Sequence, residues 1–489
     1  MQKSKLFTVA VLLANGMLTT HHLFAQDGHY WTQHYGTKSM LLSNSVIGSV
    51  EDLGAIYYNP ARLGLVQSPT FLISADAYEW NRYRVVNSFG ENTNSTKTEF
   101  GGLPSLTAGT FHLPSLKKHT FGYAILLRQN MDINIGYREE TLDDLIVESP
   151  GDEFFGGNIN LGSKGKERWA SLSWAYPIND RWSVGLTANA AQLEVDKGTN
   201  FALQALSESK EVAIYQFKRS IGYKNYGLLW KAGVASTFGS VDWGVTITTP
   251  TINIKGEGSY NYEEFYSGIT TQGASPDRYA TNQQSGMPAQ RRTPLAIGAG
   301  LSIPVQRHRI HLGSEWYAGV AEYTILTVED HLSQSAGDTI KFQLIDRLNN
   351  VLNFGIGTEF YIKDKLSMYF SFSTDFSAVP ENITGFSNNQ PIASNSTFSA
   401  NLFHFGGGFV LTLPGADITL GAAYTGGQQN FARPVDFPDG GNDNVFDKNN
   451  TATLQWDRMQ LLFSFSVPFL ERKGEALLDK VIGDKKDDR

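Results

Sequence analysis

Residues 351–376 read VLNFGIGTEFYIKDKLSMYFSFSTDF. Leu352, Phe354, Ile356, Phe360 and Ile362 share one face of an extended chain, and Asn353, Gly355, Gly357, Glu359 and Tyr361 share the other. The pattern restarts after Asp364: Leu366, Met368, Phe370, Phe372 and Phe376 face one way, Ser367, Tyr369, Ser371, Ser373 and Asp375 the other. Successive side chains of a strand point to opposite faces, so each half reads as a two-faced strand and the pair as a hairpin. In a soluble sandwich the apolar face turns inward. In a membrane barrel it turns outward to lipid. Alternation by itself fits both.

Connection lengths separate the two. Fourteen candidate strands follow from the same pattern, at 70–86, 103–113, 119–137, 167–177, 181–196, 225–239, 241–260, 289–304, 307–323, 351–363, 365–379, 398–413, 416–430 and 455–469. Every second connection is tight: 114–118, 178–180, Ser240, 305–306, Asp364 and 414–415. The others are long: 87–102, 138–166, 197–224, 261–288, 324–350, 380–397 and 431–454. Short turns on one side and long loops on the other are the layout of outer-membrane barrels, periplasmic and extracellular respectively. The last strand, 459–469, sets Leu461, Phe463, Phe465, Val467 and Phe469 in one apolar stripe. The expected fold is therefore all-β, a 14-stranded antiparallel transmembrane β-barrel at 70–469.

Composition agrees. The 489 residues include 48 Gly, 12% aromatics and no Cys, and only 18% are charged, against about 25% in soluble domains. No interior apolar run is long enough for a membrane helix. The absence of Cys removes disulfides and thiolate metal sites. The net charge of −8 argues against a nucleic-acid partner. At the start, Lys3 and Lys5 precede an apolar run to Leu18 and a small residue at Ala25, so residues 1–25 read as an export signal peptide.

Between signal and barrel lies 26–69. Its stretch 49–64, SVEDLGAIYYNPARLG, is a compact bent segment. Pro60 pushes Asn59 away from the helical region, and the Asn side chain is a partner for nearby backbone. DLGAIYYNPARLG at 52–64 resembles the N-terminal hatch signature of the FadL/TodX family of outer-membrane transporters, with Asn59, Pro60 and Ala61 at its core and Arg62 where that family more often has Gly. Residues 227–250 are similar to a central hairpin of the family. The resemblance implies a hatch that plugs the barrel, and passive uptake of hydrophobic small molecules such as long-chain fatty acids. It also implies a kink in the third strand that opens a side exit to the bilayer.

The residues offer candidates for each part. In the third strand Phe121, Tyr123, Ile125 and Leu127 alternate with Met131, Ile133, Ile135 and Tyr137 in the same phase, which leaves Gln129 facing lipid. A bare amide there is costly, so Gln129 marks either a partnered bulge or the side exit. The outer loop 199–223 carries Phe201, Tyr215 and Phe217, which form either a ligand-landing groove or a self-packed loop. Lumen-facing charges are expected at Arg128, Asp132, Lys231, His311, Glu315, Glu359 and Asp375. A fatty-acid carboxylate would want Arg128 or Lys231; the plainer reading pairs these charges with one another and with the hatch. The acidic stretch 436–447 lacks the regular ligand spacing of a calcium loop. No nucleophile or metalloenzyme motif is present, so the chain is read as a non-enzyme with no catalytic residue, metal or cofactor. Expected partners are a hydrophobic small-molecule ligand and outer-membrane lipid. Residues 470–489 form a charged periplasmic tail with Leu477, Leu478, Val481 and Ile482 at helical spacing, read either as a solvated appendage or as a docking point for a periplasmic or secretion partner. The alternative function is a FadL-like scaffold or shuttle component of a protein-secretion system.

Overall fold

The computed structural model describes residues 28–65, 71–88, 90–143, 151–268, 277–380, 391–396, 398–433 and 451–467. The expected signal peptide, the 470–489 tail and the acidic 436–447 stretch lie outside them. The first strands are β1 (Phe71–Val86), β2 (Asn94–Phe111), β3 (Thr120–Asp143), β4 (Glu153–Pro177), β5 (Trp182–Leu206), β6 (Val212–Phe238) and β7 (Val241–Thr248). The chain continues through β8 (Ile252–Ser267), β9 (Arg278–Pro288), β10 (Ala296–Val305), β11 (His308–Tyr317), β12 (Val320–Leu332) and β13 (Thr339–Leu348). It ends in β14 (Val351–Lys363), β15 (Leu366–Asp375), β16 (Ile392–Ser394), β17 (Leu402–Leu413), β18 (Ala416–Ala432) and β19 (Thr451–Val467).

Fourteen of these close an antiparallel barrel. The ring runs β1 to β7, then β10, β11, β14, β15, β17, β18 and β19, and β19 pairs back onto β1 from Phe71↔Val467 to Val86↔Thr453. Closure leaves no sheet edge at the seam. The six tight turns fall where the sequence places them. The opening segment shows which solvent won: Leu352, Phe354, Ile356 and Phe370 are exposed on the outer face, while Asn353, Glu359, Tyr369 and Asp375 are buried within. An apolar exterior around a polar interior is a membrane barrel of the outer-membrane type.

The long connections differ from expectation. Expected loops 138–166 and 197–224 are largely strand. β5 and β6 pair without a break from Trp182↔Ser236 to Leu206↔Val212, about 80 Å of ladder at 3.3 Å per residue, where about ten residues suffice to cross the bilayer. On β4 the outward face carries Leu172 and Trp174 within the bilayer but Asn158, Asn160 and Lys164 beyond it, while the inward face changes from Ser171 and Ser173 to Phe155, Ile159 and Leu161. The strand keeps its register and its surroundings change from lipid to water, so the apolar face switches sides. The expected strand 241–260 also divides. Pro250 follows the end of β7, and β8 leaves the wall to pair with the extension of β6. β8–β9 and the separate sheet β12–β13–β16 form an extracellular cap. Its buried residues are continuous with Phe155, Phe201, Phe217 and, deeper, Tyr30 and Trp31.

Residues 28–65 run inside the barrel and are buried nearly throughout. They form short helical turns, Ser39–Leu42, Ala55–Tyr58 and Pro60–Gly64. The Asp52 carboxylate ties them together, accepting from the backbone N–H of Thr37 (2.8 Å), Ser39 (3.0 Å) and Gly54 (2.8 Å). Gly36, at φ +97°, permits the turn: a Cβ there would stand 2.3 Å from Asp52 Oδ1.

Candidate functional site: the side window and the lumen behind it

Asn59 anchors the N-terminal segment. Its Oδ1 accepts from Ala61 N–H at 3.1 Å, which caps the turn beginning at Pro60. Its Nδ2 donates to the carbonyls of Ile47 (2.9 Å) and Val234 (3.3 Å). Three wall glycines make room. A Cβ on Gly185 would meet the Pro60 carbonyl carbon at 2.4 Å, one on Gly233 Asn59 Oδ1 at 2.1 Å, and one on Gly244 Asn59 Nδ2 at 2.5 Å. The Arg62 side chain joins the segment to the wall: Nε donates to Val50 O within the segment at 3.1 Å, and Nη1 lies 3.3 Å from Asp242 on β7. Ala61 is fully buried in the same contact.

The wall is breached between β2 and β3. Their ladder runs only from Phe111↔Phe121 to Leu106↔Leu126. Above that, β2 stays paired to β1 and β3 to β4, and the two strands meet again where Ser95 Oγ donates to Gly136 O at 2.9 Å. The free stretch of β2 is exposed on both faces at Phe100, Gly101, Gly102 and Pro104. Midway along it stands an aromatic cluster on the outer face, with Phe100 5.6 Å from Tyr78 and 5.2 Å from Trp80, as in an interfacial belt.

The break begins at a bulge. Against β4, Leu127 pairs with Arg168 and Gln129 with Glu167, so Arg128 is the extra residue. This corrects the sequence reading in three places. The bulge reverses the phase of β3, so Gln129 is buried on the lumen side rather than facing lipid. Ile133 and Ile135 turn inward. Asp132 turns outward, 2.8 Å from Lys164. Ile133, Ile135 and Met131 thereby join Tyr83, Val85 and Trp456 in an apolar cluster behind the window.

Arg128 and Lys231 do meet. Both line a cavity of about 40 Å3 with Tyr57, Trp169, Leu229, Glu315 and Tyr317. Lys231 Nζ stands 3.6 Å from Glu315 and 4.8 Å from the Tyr57 ring centroid. Glu315 also accepts from Trp31 Nε1 (3.0 Å) and Tyr317 OH (2.5 Å). Arg128 lies over the rings of Tyr57 (5.9 Å) and Trp169 (5.8 Å), contacts worth about 0.5–2 kcal/mol each. Among the described residues no carboxylate stands within ion-pair distance of Arg128. Other lumen charges pair locally or with the N-terminal segment, as the plainer reading has it. His311 Nδ1 is 2.7 Å from Ser49 Oγ, and Asp375 accepts from Tyr30 and Trp31 N–H.

Phe201 and Phe217 do not line an open groove. They stack at 5.6 Å, both fully buried, with Tyr215 packed alongside. The sequence reading missed Tyr57 and Trp169 as the aromatic floor under Arg128. Their signal was faint: Trp169 is a large aromatic in an otherwise Ser and Ala lumen row, and Tyr57 lies two residues before the Asn-Pro pair.

The fold and this interior define a class, an outer-membrane β-barrel with its N-terminal segment folded into the lumen. No protein-family model matches the sequence, and no curated protein is a significant sequence match. Solved structures share the fold. A Pseudomonas aeruginosa FadL homologue superposes with a TM-score of 0.51 at 10% identity, over 92% of this chain and 100% of its own. The monoaromatic hydrocarbon channel CymD gives 0.51 at 10%, over 89% and 98%. The Pseudomonas putida toluene transporter TodX gives 0.50 at 12%, over 92% and 100%. The chain therefore shares the fold of these FadL and TodX structures.

Proposed function

We propose that the chain is an outer-membrane channel for passive uptake of hydrophobic small molecules, with residues 26–69 as its hatch. The observation that carries this is the parting of β2 from β3 above Leu106↔Leu126. An open sheet edge facing hydrocarbon is not otherwise tolerated, and an apolar cluster lies directly behind it. The route runs from the extracellular cap or the outer leaflet to that cluster, past Gln129 and Met131, to the Arg128–Tyr57–Lys231 cavity. Movement of the hatch then opens the way. The fold neighbours, named for toluene and monoaromatic hydrocarbons or as FadL homologues, support the hydrophobic class. Arg128, a guanidinium resting on aromatic rings, supports an acid-headed amphiphile such as a long-chain fatty acid as the ligand. Lys231 is engaged by Glu315 and takes the lesser part.

The test is uptake into proteoliposomes of labelled oleate and labelled toluene, wild type against Arg128→Gln. Oleate uptake that falls in the variant while toluene uptake is unchanged supports an acid-headed ligand. Equal rates for both compounds in both proteins would keep the channel and remove the fatty-acid assignment. Uptake of neither would remove the channel and favour the secretion-scaffold alternative.

A further inference from the structure

On the outer face of the barrel, register stacks four rungs across β3, β4, β5 and β6. The lowest sets Tyr123 beside Leu172, Ala188 and Trp230, and the next sets Ile125 beside Ala170, Ala190 and Leu228. The alanines stand where the opposite wall presents Leu352, Phe354, Phe370 and Phe463. They floor an apolar groove of about 420 Å3, flanked by Tyr123 and Ile125 on one side and Leu228 on the other. The groove starts beside the side window. Ile125 pairs with Thr107, one rung below the Leu106↔Leu126 pair where the β2–β3 ladder ends.

Above the groove the face turns basic. The third rung is Leu127, Arg168, Gln192 and Tyr226, and the fourth is Asn130, Lys166, Glu194 and Lys224. Arg168 lies about 30 Å up β4 from Pro177 at the periplasmic end, at 3.3 Å per residue. A strand tilt of about 40° makes that about 23 Å of height, the upper edge of an apolar band about 25 Å tall. The groove therefore meets acyl chains, and Arg168 and Lys166 meet the head groups of the outer leaflet. The carboxylates of this face are taken by other cations or stand farther out. Lys164 is 2.8 Å from Asp132, and Lys224 is 2.7 Å from Glu194. Asp196 lies one rung beyond Glu194, opposite Lys164. The patch thus sets Lys164, Lys166, Arg168 and Lys224 against Asp132, Glu194 and Asp196, and the excess cation falls at its membrane-facing edge. The row of Arg168 holds no other charge. Among the described residues no carboxylate lies within ion-pair distance of Lys166 or Arg168.

We propose that this face holds one phosphorylated lipid of the outer leaflet, with an acyl chain in the groove and the phosphate on Arg168 and Lys166. Location settles the chain, because hydrocarbon covers any groove inside the apolar band. Charge settles the head group. Arg168 and Lys166 are successive outward residues of one strand, about 6.6 Å apart, close enough to share one phosphate. A phosphate monoester brings a charge of about −1.5 to −2 and three acceptor oxygens. The guanidinium fork fits two of them and the ammonium adds a point charge. A zwitterionic head group would set its own cation beside Arg168, and a fatty-acid carboxylate offers one charge to two cations. The chain of the bound lipid lies against Ile125, so a resident lipid borders the foot of the window.

The test uses the full chain in detergent, with native mass spectrometry to count lipids retained from phosphatidic acid, phosphatidylcholine of the same chains, or oleate. One phosphatidic acid per chain, with the other two held at least about tenfold more weakly, is the expected result. Lys166→Gln combined with Arg168→Gln should raise the phosphatidic acid needed for half occupancy by about tenfold or more. Ala190→Phe fills the groove and leaves the charges, and it should act in the same direction. All three side chains face outward, so the gel migration of the folded barrel should be unchanged. Ala190→Phe alone decides the matter if the charge variant does not fold. Equal retention of phosphatidic acid and phosphatidylcholine would overturn the site, as would retention of oleate as tight as phosphatidic acid. Unchanged binding in Ala190→Phe would reduce it to a charged rim and overturn the groove. A dimer that excludes added lipid would give the face to a second copy of the chain and overturn the lipid. None of these readouts depends on uptake.

Discussion

Asn59 joins three backbone segments through one buried amide, and the wall glycines opposite it leave no space for a methyl group. Asn59→Ala orphans two carbonyls and one N–H, at a cost of about 1–3 kcal/mol for each group that water cannot reach. Hydrogen exchange across residues 44–64 should then quicken while the folded barrel's gel migration stays unchanged. Gly185→Ala should loosen the same residues more than Gly233→Ala does. The new methyl of the first meets the Pro60 backbone at 2.4 Å, whereas that of the second meets the end of a side chain. At Arg128, Arg128→Gln should weaken binding of an acid-headed ligand by about tenfold and leave a neutral aromatic ligand unaffected, read by competition with a fluorescent fatty acid. The Asn-Pro-Ala motif was legible because proline chemistry is local. The glycine cradle was not, since Gly185, Gly233 and Gly244 become one surface only through strand register.

At the scale of the element, β3 decides most. One extra residue reverses its phase, ends the β2–β3 ladder and places Arg128 over Tyr57. Deletion of Arg128 leaves the pairing of Gln129 with Glu167 in place and removes the bulge. The barrel should fold and uptake should be lost, and undiminished uptake would refute the window as the route. The sequence showed the polar interruption at 128–130 but placed Gln129 on the wrong face. Alternation read through a bulge keeps counting by two where the strand has slipped by one. The cap offers a pH prediction. Arg278 donates to Asp338 at 3.1 and 2.9 Å and to Glu264 at 2.6 Å, tying β9 to the β12–β13 hairpin. Hydrogen bonds from Arg278 and then Ser333 hold the Asp338 carboxyl below the usual carboxylate range. A lowered folded value contributes stability above the unfolded value of about 3.9, which is lost as pH falls through the folded value. Proteolysis within 333–338 should therefore increase at low pH, and Arg278→Gln should weaken that dependence, leaving the part that Ser333 supplies.

For the whole molecule, lipid and water divide each long strand. Leu172 and Asn158 share the outward face of β4, but Leu172 lies in the apolar belt and Asn158 well beyond it. Leu172→Arg should cost about 2–4 kcal/mol near the bilayer midplane, and Asn158→Arg within about 0.5 kcal/mol of nothing, measured by guanidinium unfolding from lipid vesicles. The same contrast explains why the extracellular extensions read as loops in the sequence. In 156–166 the outward positions are Gly, Asn and Lys, a pattern that suits a strand in water and conceals one when the template expects lipid.

Period-two alternation, six tight turns, low charge and the Asn-Pro-Ala motif determined a fourteen-stranded membrane barrel with something folded at its start, because strand faces and turn residues are properties of neighbours in sequence. The tertiary structure alone decided where the wall opens and which lumen cation has, among the described residues, no carboxylate beside it. Each of those depends on strands far apart in the chain being brought to one level by register, and a single bulge shifts that level by one residue.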